Sequence, residues 1–197
     1  MRRLLPALVL LAACRSVGPG DPIRPLAASS PENALEQLHA RAAAFTGARS
    51  LLRVRATRGD TTQNFRAQLI VPNRTQMELI AYTPVGTTAV TIKADGDKVT
   101  YKNHLQGMTV EGSAEEFARS MAFYAAELQP AEMALLILGL PPRRDIAYES
   151  SATGLSRAVV GDAIVTFDPA HFPPSRVTIH RGGDTVEIEH LETVAMR

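Results

Sequence analysis

LLRVRATRGDTTQNFRAQLIV, Leu51 to Val71, alternates apolar and polar residues on both sides of a glycine turn. Leu52, Val54 and Ala56 alternate with Arg53 and Arg55. Phe65, Ala67, Leu69 and Val71 alternate with Asn64, Arg66 and Gln68. Successive side chains of a strand point to opposite faces, so each run reads as a strand with one apolar and one wet face. Antiparallel sheets carry that pattern, because one of their faces can stay in water. Arg58-Gly59-Asp60 supplies the turn chemistry between the two runs.

The alternation continues through 76–82, 87–94, 98–103 and 108–111, with turn signals at Pro72-Asn73, Asp95-Gly96-Asp97 and Gln106-Gly107. Then the period changes. Ser113-Ala114-Glu115-Glu116 is a capping box, and Phe117, Met121, Tyr124 and Leu128 follow at helical spacing. Pro130 opens a second helix, AEMALLIL, apolar nearly all round and therefore buried; Gly139 and Pro141 stop it. Strand patterns return at 146–150, 155–160, 163–167, 176–180 and 184–194. Ahead of all the strands, Ser30 caps a helix that Pro31 starts, with Leu35, Leu38, Ala42 and Phe45 on one face and Gly47 at its end. The sum is an α+β chain of about eleven strands and about three helices. Strands so patterned are expected to curl into an incomplete antiparallel β-barrel wrapped around the helices, which lie across its open side.

Residues 1–13 precede a lone cysteine and are read as a signal peptide. Arg2 and Arg3 lead into the apolar stretch from Leu4 to Leu11, far short of the ~20 residues that cross a bilayer. LAAC then places Cys14, the single Cys of the chain, at a bacterial lipobox cleavage point. The alternative is an ordinary export signal with an accidental Cys. Acylation of Cys14, palmitate included, adds ~0.8 kcal/mol per buried methylene, and two or more chains anchor stably. Arg15 lacks the acidic character that retains some lipoproteins in the inner membrane, which favours the outer. Residues 14–30 are rich in Pro, Gly and Ser and read as the acylated Cys plus a flexible tether; 31–197 read as one domain.

No disulfide is available, so stability must come from a core, which a mature chain of about 184 residues can build. Loss of Arg2 and Arg3 turns the formal charge from +1 to −1, a poor match for nucleic acid. The chain has no Trp and few aromatics, which disfavours base or sugar stacking. All its basic residues are Arg except Lys93, Lys98 and Lys102, a compositional bias without functional reading.

The sequence holds no G-x-S-x-G elbow, H-E-x-x-H, C-x-x-C or glycine-rich phosphate loop. Asp168 with His171, and Asp95 with Asp97, are read as turn residues before metal ligands; His180 and His190 fall on separate strands, and Glu187 and Glu189 on a solvent face. An enzyme is not expected, nor a metal or other cofactor. One position stands out instead. In AYTPVGTT, Ala81 to Thr88, Pro84 and Gly86 suit a type I turn, and Val85 sits at its tip, where polar residues usually go. Val85 either projects into water or folds back on its own hairpin.

Two stretches carry a family resemblance. AYTPVGTTAVTI is similar to the segment of LolB-type outer-membrane lipoprotein receptors in which two strands meet around a Pro-Leu-Gly tip. LLILGLPP, Leu135 to Pro142, resembles the family's helix ending in Ile-Leu-Gly-Leu-Pro. The order of lipobox, tether, helix, strands, tip, strands, two helices and strands agrees over nearly all of the mature chain.

The resemblance implies an apolar cavity inside the barrel that takes the acyl chains of lipoproteins from a soluble periplasmic carrier. The receptor, anchored on the periplasmic face of the outer membrane, then releases them into it without bond-making chemistry. It implies that Pro84, Val85 and Gly86 form the membrane-contact tip, with Val where the family favours Leu. The residues then expected to line the cavity are Leu52, Val54, Phe65, Leu69, Leu79, Val90 and Ile92 from the strands, with Met121, Leu135 and Ile137 from the helices. Periodicity alone does not separate a hollow interior from a filled one. A monomer is expected. Two other readings stay open: the same architecture holding a glycolipid or phospholipid, and an envelope lipoprotein with a packed core.

Overall fold

The computed structural model describes residues 21–120 and 127–196. Its elements are β1 (Asp21–Pro22), α1 (Pro31–Ala43), β2 (Ala48–Arg58), β3 (Thr61–Val71), β4 (Gln76–Tyr82), β5 (Thr88–Asp95), β6 (Lys98–Asn103), β7 (Met108–Ser113), α2 (Ala114–Ser120), α3 (Pro130–Ile137), β8 (Ala147–Ser151), β9 (Gly154–Val160), β10 (Ala163–Asp168), β11 (Arg176–Arg181) and β12 (Asp184–Ala195).

Two antiparallel meanders, β2 to β7 and β8 to β12, make one sheet in the order β7-β6-β5-β4-β3-β2-β12-β11-β10-β9-β8. Their seam is the long β2–β12 ladder, from Asp184 opposite Arg58 to Ala195 opposite Ala48. Five hairpins close through two residues. Four open with a glycine at φ between +53° and +57°, Gly59, Gly96, Gly161 and Gly182, and the fifth, Ala152-Thr153 between β8 and β9, has no positive φ. A left-handed first residue in a two-residue hairpin matches the twist of the flanking strands. The sheet ends at β7 and β8, which do not pair. Between these two edges the chain inserts α2 and α3, so the barrel stays open where the helices enter.

Register puts the apolar set on the inner face, broken by Ser50 on β2 and Asn103 on β6. Leu69, Leu79, Ile92, Tyr101 and Val110 stand in one row across β3 to β7. Across the seam, Ile188 faces Val54, which faces Phe65. Ala158, Val165, Ile179 and Val186 continue the inner face through β9 to β12. A slip of one residue would turn this set outward, so burial fixes the pairing. The outer face carries Arg53 paired with Glu189 and Arg55 with Glu187, as solvent-facing alternation predicts.

The helices lie on the inner face: α1 against β8 and β9, α2 against β6 and β7, α3 against β3, β4 and β5. The Ser30 hydroxyl caps α1 by accepting from Asn33 N–H. At α2 the Ser113 and Glu116 side chains accept from each other's backbone N–H groups, a reciprocal capping box. α3 ends in a Schellman motif: Gly139 N–H donates to Leu136 O, Leu140 N–H donates to Leu135 O, and Gly139 sits at φ +81°.

Two sequence expectations need correction. Phe45 is not on α1, which ends at Ala43; it packs on the core from the connection into β2. And residues 21–29, assigned to a flexible tether, are held by the domain. Asp21 and Pro22 pair with Ala195 and Val194. Leu26 is buried in the core, and Ile23 and Ala28 pack against it. The Arg41 guanidinium donates to the carbonyls of Arg24 and Pro25, and the Gln37 amide to that of Ala27. Pro and Ser hid three apolar contacts and a set of carbonyls that α1 captures.

Candidate functional site

The inner face is unevenly covered. Under α1 and α3, residues of β2, β3 and β9 to β12 form one continuous core: Leu52, Leu69, Leu135, Leu136, Leu155, Val160, Val165 and Val177 are almost fully buried. Over β4 to β7 burial is incomplete. Ile92, Ala94, Val99 and Ala114 form a second, smaller cluster, with Leu79, Met77, Val90, Tyr101 and Phe117 only partly buried around it. Farther out on the same face, Met108 is 43% exposed and Val110 51%. Fully burying such a side chain contributes about 1.5–3 kcal/mol, so this half of the sheet holds unspent apolar surface.

The expected cavity residues divide between these regions. Leu52, Val54, Leu69 and Leu135 belong to the main core, with Phe65 and Ile137 packed against it. Ile92 belongs to the second cluster, Val90 packs against that cluster, and Leu79 touches both. Met121 and Cys14 lie outside the described residues. A cleft of about 300 Å³ opens beside α2 and α3, lined by Asp97, Ala114, Glu115, Glu127, Leu128, Gln129, Glu132 and Arg143. Its walls are mostly polar and include none of the nine described residues expected around an acyl chain. Among the described residues, the partly covered apolar surface is the β4–β7 half of the inner face, where the two clusters meet at Leu79.

That half ends in a projecting turn. Gly86 N–H donates to Thr83 O and Thr83 N–H to Thr87 O, with Gly86 at φ +85°. This is a three-residue hairpin loop, a type I turn closed by a left-handed glycine. Thr83 and Thr87 join their hydroxyls at its base, 2.8 Å apart. Val85, between Pro84 and Gly86 at the tip, is 85% exposed. It does not fold back on the hairpin. A second apolar residue shares this end of the sheet: Leu105, in the β6–β7 turn, is 68% exposed. Sequence reading passed over Leu105, Met108 and Val110. The signal for the two strand residues was the register that aligns Val110 with Ile92 through Tyr101.

The remaining candidates have structural partners. His171 Nδ1 lies 3.0 Å from Pro169 O, and Asp168 O accepts from the Ser175 hydroxyl. Asp95 and Asp97 flank the Gly96 turn, whose N–H donates to Thr75 O. His180 bonds Thr185. His190 sits at the bulge of β12, its Nε2 3.1 Å from Ile137 O and its Nδ1 2.9 Å from the Ser50 hydroxyl. A carbonyl cannot donate, so Nε2 carries the proton. Burial pushes the ring's pKa down to about 4 against the opposing bond to Ile137.

No protein-family model matches the sequence, and no curated protein matches it. Similar solved structures exist. A putative outer membrane lipoprotein-sorting protein domain from Vibrio parahaemolyticus superposes with a TM-score of 0.50 at 8% identity, over 84% of this chain and 93% of that one. A LolA superfamily protein from Nitrosomonas europaea gives 0.49 at 8% identity, over 83% and 94%. The lipoprotein LppX from Mycobacterium tuberculosis gives 0.37 at 14%, over 83% and 95%. At such identity the Vibrio domain establishes a shared fold, the open antiparallel barrel around helices, and that alone.

Proposed function

We propose that the protein is a lipid-anchored receptor that takes acyl chains of lipoproteins from a soluble periplasmic carrier and passes them into the outer membrane. The observation that carries this reading is the half-covered apolar face over β4 to β7 ending in the exposed Val85. A shared fold with a putative lipoprotein-sorting domain agrees with it. An acyl chain enters over β4 to β6, where Leu79, Val90 and Tyr101 are only partly buried, and gains ~0.8 kcal/mol for each methylene removed from water. Among the described residues the main core is closely buried, so α3 and the second cluster separate as the chain enters. Delivery requires no bond to form or break and no cofactor. The tip brings the loaded face to the bilayer, where acyl tails offer the cargo an equally apolar surrounding. Cys14, acylated, keeps the receptor on the periplasmic face of that membrane.

A second reading keeps the architecture and changes the cargo to a glycolipid or phospholipid. Val85 favours it, since it offers about one methylene less than a Leu for membrane contact, ~0.8 kcal/mol. Mixing the chain from Arg15 onward with a carrier loaded with acylated lipoprotein separates the two. Recovery of the lipoprotein on this chain in a pull-down is the expected result. Retention on the carrier, while the chain still takes up an apolar dye, would replace the lipoprotein with another lipid.

A further inference from the structure

Leu105 sits in the β6–β7 turn with its side chain in water, and the turn is rigidly made. The Asn103 carboxamide oxygen accepts from Leu105 N–H and Gln106 N–H, and its NH₂ donates to Gln106. Gly107 closes the loop at φ +65°. His104 ties this turn to the start of β5, donating from its N–H to Ala89 O and bonding Thr91 Oγ1 through Nε2 at 2.9 Å. Ala89 follows directly on the hairpin that carries Val85. Since β5 and β6 are neighbours, the two tips stand about two strand spacings apart, roughly 10 Å.

From this juxtaposition we infer that Val85 and Leu105 form a two-pronged contact for a phospholipid bilayer. The inference rests on the proposed delivery function and extends it to a residue with no other evident role. Three features select a bilayer over a protein. The apolar groups are single side chains on narrow turns, whereas a protein partner needs roughly 1,000 Å² of fitted surface. The segments forming this end, 79–92 and 99–110, contain no Asp or Glu. Their ionisable side chains besides Tyr82 and Tyr101 are Lys102, exposed on β6, and His104 in the turn, a balance suited to anionic headgroups.

Because the chain lacks Trp, Val85→Trp and Leu105→Trp each give a single reporter. The chain from Arg15 onward contains the whole sheet and both clusters, and it is mixed with phosphatidylethanolamine–phosphatidylglycerol vesicles carrying brominated acyl chains. Both reporters are expected to shift to the blue and be quenched. In co-flotation, Leu105→Glu and Val85→Glu are each expected to weaken vesicle binding by roughly tenfold or more, the double variant reaching background. Apolar-dye uptake stays at the wild-type level throughout, which shows the variants folded. Quenching at 85 with none at 105, and flotation of Leu105→Glu like wild type, overturns the second prong and leaves the receptor reading intact. Loss of signal at both positions while carrier transfer succeeds overturns the two-pronged contact but not cargo acceptance. Wild-type self-association without vesicles that Leu105→Glu abolishes would assign the tips to a second copy of the chain and overturn the bilayer contact.

Discussion

A single valine in water carries little stability, and that separates its two possible roles. Val85 is 85% exposed, so Val85→Glu should leave the free energy of unfolding in urea within about 0.5 kcal/mol of wild type while cutting delivery to vesicles by roughly tenfold or more. His190 behaves in the opposite sense. Its folded pKa, near 4, lies below the ordinary 6.5, because burial disfavours the charged ring beside the Ile137 carbonyl and the Ser50 and Thr193 hydroxyls. A depressed pKa gives stability that is complete above pH ~6.5 and is lost as pH falls toward ~4, at most about 3 kcal/mol in all. Urea unfolding followed from pH 7.5 to 4 should show that decline, and His190→Gln should flatten it. This network joins residues 140 positions apart in sequence, and neither Ser50 nor His190 shows it alone. Leu105 was hidden for a related reason. An apolar residue beside a Gln-Gly turn reads as an accident until register sets its turn next to that of Val85.

Among the elements, the caps of α2 and α3 matter most for access to the inner face. A Cβ on Gly139 would lie 2.7 Å from Pro174 Cδ, and φ +81° is costly for any L-residue. Gly139→Ala should therefore destabilise by about 2 kcal/mol or more, read by urea unfolding. Glu116→Ala removes half of the α2 capping box and should cost about 1 kcal/mol. The strands were legible because alternation with period two is a local signal: the long strands around 48–71 show it as plainly as any sequence can. Both helix starts after β7 were legible from Ser113, Glu116 and Pro130. What escaped was order imposed from outside an element. Residues 21–29 have no period of their own; Arg41 and Gln37 of α1, the end of β12 and the burial of Leu26 give them a fixed path. The cavity was equally out of reach. Leu52 and Val90 look alike as alternating apolar residues, yet one is sealed beneath the seam and the other only half covered, since the depth of cover depends on where the helices fall.

For the whole molecule, the open edge and the uneven cover divide the sheet into a deeply buried part, β2, β3 and β9 to β12, and a half-covered part, β4 to β7. Hydrogen exchange should follow this division, with amides of β6 and β7 exchanging well before those of β2 and β12, and cargo should slow the first group selectively. The docked segment at 21–29 has a geometric outcome as well. Asp21 lies beside Ala195, level with Ala48 and Val71, whereas Val85 caps the opposite end of the strands. At strand rise and spacing the two points are roughly 30 Å apart. A leash from Cys14 to Asp21 spans seven residues and reaches about 25 Å even at full stretch. Deleting 15–20 should therefore block delivery while cargo acceptance survives, and lengthening that stretch with Gly and Ser should not impair it, both read by transfer to vesicles from the acylated protein. If it is the proposed receptor, a protein moored this way cannot stand upright and still touch down. It has to recline, and the length of its mooring sets the angle at which its cargo meets the lipid.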